Sequence, residues 1–197
     1  GVKKSCVFGP RPRGVIRLIC VASLIPRKGH SVLVEALSFL ADRPWDLTCI
    51  GDLRRDPETS LQICNLVRKF GLAHRIKFVG EVSESRLQGH YQKANLFVLA
   101  SHHEGYGMAL SEAISWGVPV VSTNGGAIPF TVPRAASLLV QPGDARALSC
   151  AIGRFMDEPR VRVKLLAGAR GASSKQTSWL FATSRFVAEI RRIVCDE

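Results

Sequence analysis

Short continuous apolar runs alternate with stretches of helical spacing along most of the chain. "VIRLICVAS" (15–23), "DLTCIG" (46–51), "RIKFVG" (75–80), "NLFVLAS" (95–101), "VPVVST" (118–123) and "SLLVQPGD" (137–144) predict strands. Between them, "HSVLVEALSFLA" (30–41), "ETSLQICNLVRKFG" (58–71), "ESRLQGHYQKA" (84–94) and "MALSEAISWG" (108–117) predict helices, with Gly71 and Gly117 as C-terminal stops. Further helices are expected at 144–156, 159–171 and 178–194. Strands that alternate with helices pair in parallel through right-handed crossovers. Their apolar runs lack a clean polar alternation, as in a sheet covered on both faces. The expected fold is therefore α/β, a Rossmann-like doubly wound parallel sheet with helices on both faces. Ligands of such sheets bind where strands turn into helices, which selects the turns at 23–29, 51–56, 80–82, 101–107 and 123–129.

Composition narrows the class. The 197 residues suit one domain with a full core, and 46% apolar with 22% charged content indicates a globular protein. No run approaches the ~18 apolar residues of a membrane span. The start, "GVKKSCVFGPRPRG", has no apolar signal-peptide core and no initiator Met, so a piece of a longer chain is expected. Cys6, Cys20, Cys49, Cys64, Cys150 and Cys195 include no C-x-x-C pair; buried thiols in a reducing compartment are expected, not a disulfide or zinc framework. The net charge of +11 suits nucleic acid, an acidic membrane face or a phosphate-bearing small ligand.

The candidate chemistry lies in the turns. No G-x-G-x-x-G follows the first strand and there is no Walker loop, which disfavours a dinucleotide or P-loop enzyme. "IPRKG" instead offers Arg27 and Lys28, a forked donor and a point charge suited to two phosphates. A solvated basic loop is the plain alternative. The helix start at Gly107, Met108, Ala109 and Leu110 adds free amides and a positive dipole end. Glu104 precedes "GYG", where Gly105, Tyr106 and Gly107 allow close backbone approach, and Glu112 follows in an E-x7-E spacing. A carboxylate accepting from vicinal hydroxyls is a sugar or ribose contact. For Glu112 a first-turn acid favoured by the dipole is the competing role. His102 and His103 suit backbone ordering or substrate hydrogen bonding, and "NGGAIP" a tight turn. Trp116 and Trp179 suit core or interface anchors. Asp52 and Asp56 are too weak a pair for a metal, so no metal site is expected.

Taken together, "VASLIPRKGHSVLVEAL", "VGEVSESRLQGHYQKANLFVLASHHEGYGMALSEAISWGVPVVSTNGGAIP" and "LLVQPGDARALSCAIGRFMDEP" resemble the carboxyl-terminal domain of family-four (group 1) retaining glycosyltransferases, one half of a GT-B architecture. The resemblance implies transfer of a sugar from a nucleotide-diphosphate donor such as a UDP- or GDP-sugar, without a metal or other cofactor. Carried over, Arg27 and Lys28 neutralise the diphosphate and Glu104 faces the sugar, these three being the catalytic set. Glu112 holds the ribose, Gly105 to Leu110 present backbone, and Gly80 and Val82 flank the turn that reads the base. Phe130 departs from the acid that family members often carry after the Pro of this turn.

The implied organisation is a tail at 1–14, a donor-binding domain at 15–175 and a C-terminal helix at 176–197 that returns toward an N-terminal acceptor domain missing from this chain. Alone, the chain is expected to bind donor but not to turn it over. A cytoplasmic location is expected, with peripheral association through the basic surface with the inner face of a membrane. The alternative reading is a basic nucleic-acid or anionic-surface binding module; nucleic acid is disfavoured because no aromatics interleave with the basic residues.

Overall fold

A computed structural model of the protein describes residues 14–173. Six strands form one parallel sheet: β1 (Ile16–Val21), β2 (Trp45–Ile50), β3 (Ile76–Phe78), β4 (Leu96–Leu99), β5 (Val120–Thr123) and β6 (Ser137–Val140). Their order is β3-β2-β1-β4-β5-β6, and every pairing is parallel. The helices are α1 (His30–Ser38), α2 (Pro57–Lys69), α3 (Glu84–Lys93), α4 (Met108–Ser115), α5 (Ile128–Thr131), α6 (Ala145–Asp157) and α7 (Pro159–Ser173).

All four residues of β4 and all four of β5 are buried, so both faces of these central strands are covered. The missing alternation in "NLFVLAS" and "VPVVST" has this cause. On one side α1 packs with α2 and α6; on the other α4 packs with α7 and, through Tyr91 stacked near Trp116, with α3. Tyr91, Phe97 and Phe155 are among the largest fully buried side chains, each contributing about 1.5–3 kcal/mol by burial.

Local signals fix the helix ends. The carboxylates of Asp56 and Asp144 accept from the amides of Thr59 and Ala147, capping α2 and α6. Asp52 binds the Arg54 amide, so these aspartates are spent on turns. The doubly wound sheet is as expected, with two refinements. All strands but β5 end sooner than their apolar runs, since their last residues already turn toward the helices. The turn at 123–129 runs into the one-turn helix α5, where Pro129 presets the helical backbone. Cys20, Cys49 and Cys64 are free thiols, the first two buried. Segment 1–13, the helix expected at 178–194 and Trp179 lie outside the described residues. No described helix is long and apolar enough to cross a membrane.

The sheet reverses its direction of growth between β1 and β4. This is the switch point at which doubly wound sheets leave a crevice.

Candidate functional site

At the carboxyl ends of β1 and β4 lies a cavity of about 440 Å³. Its charged lining is Arg27, Lys28, Arg55 and Glu104, and the start of α4 closes it with Tyr106, Gly107, Met108 and Ala109.

The turn after β1 is rigid for a steric reason. Pro26 opens a short 3-10 turn over Pro26–Lys28, and Gly29 ends it in the left-handed region at φ 66°. A Cβ on Gly29 would stand 2.0 Å from the Ala100 carbonyl oxygen, so only glycine lets this turn lie against the end of β4. The His102 amide donates to the Arg27 carbonyl at 2.8 Å. His102 thus acts in ordering through its backbone.

Glu104 is 6% exposed, with two cations and a hydroxyl around its side chain. Lys28 Nζ and Ser101 Oγ donate to Oε1 at 2.7 and 2.6 Å. Arg27 stands 3.8 Å from Oε2 while donating to the His103 carbonyl at 2.7 Å. The double glycine fixes the loop from behind. A Cβ on Gly125 would meet the His102 carbonyl at 2.3 Å, and one on Gly126 the Glu104 carbonyl at 2.2 Å. The Ala127 amide donates to the Glu104 carbonyl at 2.8 Å, and the Thr131 hydroxyl to that of Tyr106. "NGGAIP" is therefore a clamp on the glutamate loop.

At the start of α4, Gly107 has φ 83° and no side chain caps the helix. The amides of Leu110 and Ser111 both donate to the Gly107 carbonyl, and the Leu110 side chain is fully buried. Leu110 is thus part of the core, with its amide already used. Met108 and Ala109, as the first two helical residues, have no intrahelical acceptor and line the cavity. Three cations against one carboxylate leave a formal surplus of two positive charges in the lining. Such a cavity matches a doubly charged phosphate ligand.

Glu112, Gly105, Gly80 and Val82 are not among the lining residues of this cavity. The Gly80 carbonyl accepts from Gly51 at 2.9 Å, and Val82 packs against the core. Glu112 is half-buried one turn into α4 and accepts from the Tyr91 hydroxyl at 3.3 Å. Burial pushes its carboxyl above the ordinary glutamate value; the Tyr91 hydrogen bond draws it partly back, and the charge of Glu84 raises it further. Tyr91 is pushed up in turn, by burial and then by Glu112. Trp116 stacks near Tyr91 at 6.5 Å, an anchor as expected. Arg55 carried no motif of its own, although "DLRRD" set two cations in a turn already marked as a ligand turn.

A doubly wound sheet with a cationic cavity at its switch point defines a Rossmann-like α/β domain built to receive an anionic ligand. The chain belongs to the family of glycosyl transferases group 1, whose model matches residues 9–171, and its fold is half of the GT-B architecture. It is 27% identical over 193 residues to the MMP alpha-(1->4)-mannosyltransferase of Mycolicibacterium hassiacum, covering 95% of this chain and 46% of the relative. It is similar to the sucrose-phosphate synthase of Thermosynechococcus elongatus, with a TM-score of 0.80 and 27% identity, covering 95% of this chain and 46% of that one. Anabaena HepE in complex with UDP and glucose shares the fold, with a TM-score of 0.79, 20% identity and coverage of 93% and 49%. The chain spans about half the length of the curated relatives it matches.

Proposed function

We propose that this chain is the donor-binding half of a retaining, metal-independent glycosyltransferase that uses a nucleotide-diphosphate sugar. The observation that carries the reading is the convergence of Arg27, Lys28, Glu104 and the first amides of α4 on one cavity. Arg27, Lys28 and Arg55 neutralise the diphosphate, with the Met108 and Ala109 amides beside them. Glu104 presents its Oε2 toward the sugar hydroxyls, and Glu112 takes the ribose. In the transfer, the bond between the anomeric carbon and the diphosphate oxygen breaks. The acceptor oxygen bonds to the same face of that carbon, and its proton passes to the leaving diphosphate. The cations and helix start stabilise the charge that develops on the leaving group, so the acids position and no metal is required.

HepE was solved with UDP and glucose, which supports a nucleotide-sugar donor here. The acceptor is held by a further domain, and the chain alone binds donor without turning it over. The clustering of Arg27, Lys28 and Arg55 inside a cavity favours a small anionic ligand over a nucleic-acid surface. The test is thermal unfolding with millimolar UDP, GDP and their sugars: at least one pair raises the melting temperature, and Lys28→Ala abolishes the rise. A folded chain that no nucleotide protects would count against the reading.

A further inference from the structure

Directly beneath the anion-binding turn lie three side chains that the donor site does not use. Cys20 and Cys49 stand opposite each other in the parallel register of β1 and β2. His30, the first residue of α1, places its Nε2 3.7 Å from Cys20 Sγ. One donor atom from each of the three lies within 4.8 Å of the others. Cys20, His30 and Cys49 are 1%, 2% and 1% exposed. His30 Nδ1 is buried with no hydrogen-bond partner among the described residues, so the thiol is the ring's recorded polar neighbour.

The donor set is two sulfurs and one imidazole nitrogen, without oxygen, which selects soft cations. Metal bonds of ~2.3 Å to sulfur and ~2.0 Å to nitrogen, opened to ~120°, separate the two donor atoms by ~3.7 Å. The Cys20–His30 separation, which also suits a thiol–imidazole hydrogen bond, is compatible with that spacing. Tetrahedral zinc requires a fourth ligand, and the cluster found among the described residues offers three.

We infer that Cys20, His30 and Cys49 form a buried, three-coordinate site for a soft monovalent cation of the Cu(I) kind. The cysteines bind as thiolates, so thiol protons leave for solvent on binding and affinity rises with pH. The bound ion ties β1, β2 and the start of α1 together, and with them the turn that carries Arg27 and Lys28. Because the cluster is closed, loading occurs during folding or local opening.

The full chain is refolded anaerobically, with a phosphine reductant, in Cu(I) buffered by a competing chelator. About one Cu(I) is retained per chain, X-ray absorption shows two sulfurs and one nitrogen, and the melting temperature rises by several degrees. Cys20→Ser and Cys49→Ser lose the ion, whereas Cys64→Ser keeps it. The absorption spectrum of the unaltered chain requires no variant to fold. Retention well below one equivalent, a sulfur-only shell, or undiminished binding by Cys20→Ser would overturn the site. Retention of Zn(II) but not Cu(I) would overturn its three-coordinate character.

Discussion

Lys28 Nζ donates to Glu104 Oε1 at 2.7 Å across 76 residues of sequence, joining the turn after β1 to the loop after β4. Both side chains are largely withdrawn from solvent, at 19% and 7% exposure. The pair is therefore a wall of the cavity and also a structural tie. Lys28→Ala leaves a nearly buried carboxylate with Ser101 and a distant Arg27. A loss of about 1–3 kcal/mol is expected, below the cost of breaking a fully buried pair because Lys28 keeps some solvent. In a double-mutant cycle with Glu104→Ala, measured by urea unfolding, the coupling is about 1–2 kcal/mol. Additive losses would mean that the two charges contribute nothing to each other.

Arg55 separates binding from stability. It is exposed, lines the cavity and sits in a turn whose fold is carried by Asp52, Asp56 and Gly51. Arg55→Ala is expected to leave the unliganded melting temperature unchanged and to weaken nucleoside-diphosphate binding about 5–10-fold, the value of one charge-assisted contact. Titration calorimetry with the matching monophosphate provides the control, since a diphosphate contact predicts a smaller change there. Equal losses for both nucleotides would remove Arg55 from the diphosphate.

Much of this site was legible because its residues sit where doubly wound sheets present ligands, at the carboxyl ends of strands. Arg27, Lys28 and Glu104 could be assigned to turns by the apolar runs preceding them. Their mutual contact could not, since no local spacing connects residues 28 and 104. The role of "NGGAIP" was also hidden. Two adjacent glycines announce a tight turn, but that Gly125 and Gly126 press on the His102 and Glu104 carbonyls depends on β5 lying beside β4. Cys20, His30 and Cys49 have no motif spacing; only the β1–β2 register and the start of α1 bring them together. Leu110 shows the converse error of detail, because a helix start marks four amides while local bonding had already used that one.

Two glycines should respond oppositely to the same methyl group. At Gly29 the backbone is left-handed and the new Cβ meets the Ala100 carbonyl oxygen at 2.0 Å. Gly29→Ala must displace the 3-10 turn from β4, at a cost above about 2 kcal/mol, and nucleotide protection should vanish with it. At Gly89, inside α3, nothing lies within 4 Å of an added Cβ. Gly89→Ala should stabilise by about 0.5–1 kcal/mol and leave binding untouched. Urea unfolding of both variants checks the pair. Tolerance of alanine at Gly29 would show that the close approach of turn and strand is dispensable.

Glu112 should show the opposing signs of a residue kept for binding. Burial raises its folded-state pKa above the ordinary glutamate value. Between those two values the folded chain holds a proton that the unfolded chain has released, so stability falls as pH rises through that window and stays lower above it. Glu112→Gln removes this loss. Its stability relative to the unaltered chain should therefore be higher at pH 7 than at pH 4, by less than about 1 kcal/mol because the carboxylate is only half-buried. Glutamine offers one acceptor oxygen in place of two, so nucleotide affinity should drop about 10-fold at pH 7. The drop should disappear for an analogue lacking the ribose hydroxyls. Urea unfolding from pH 4 to 8 and calorimetry with both nucleotides separate the two effects. A variant that gains stability and binds as before would leave Glu112 a half-buried acid bonded to the Tyr91 hydroxyl, with no part in the ribose contact.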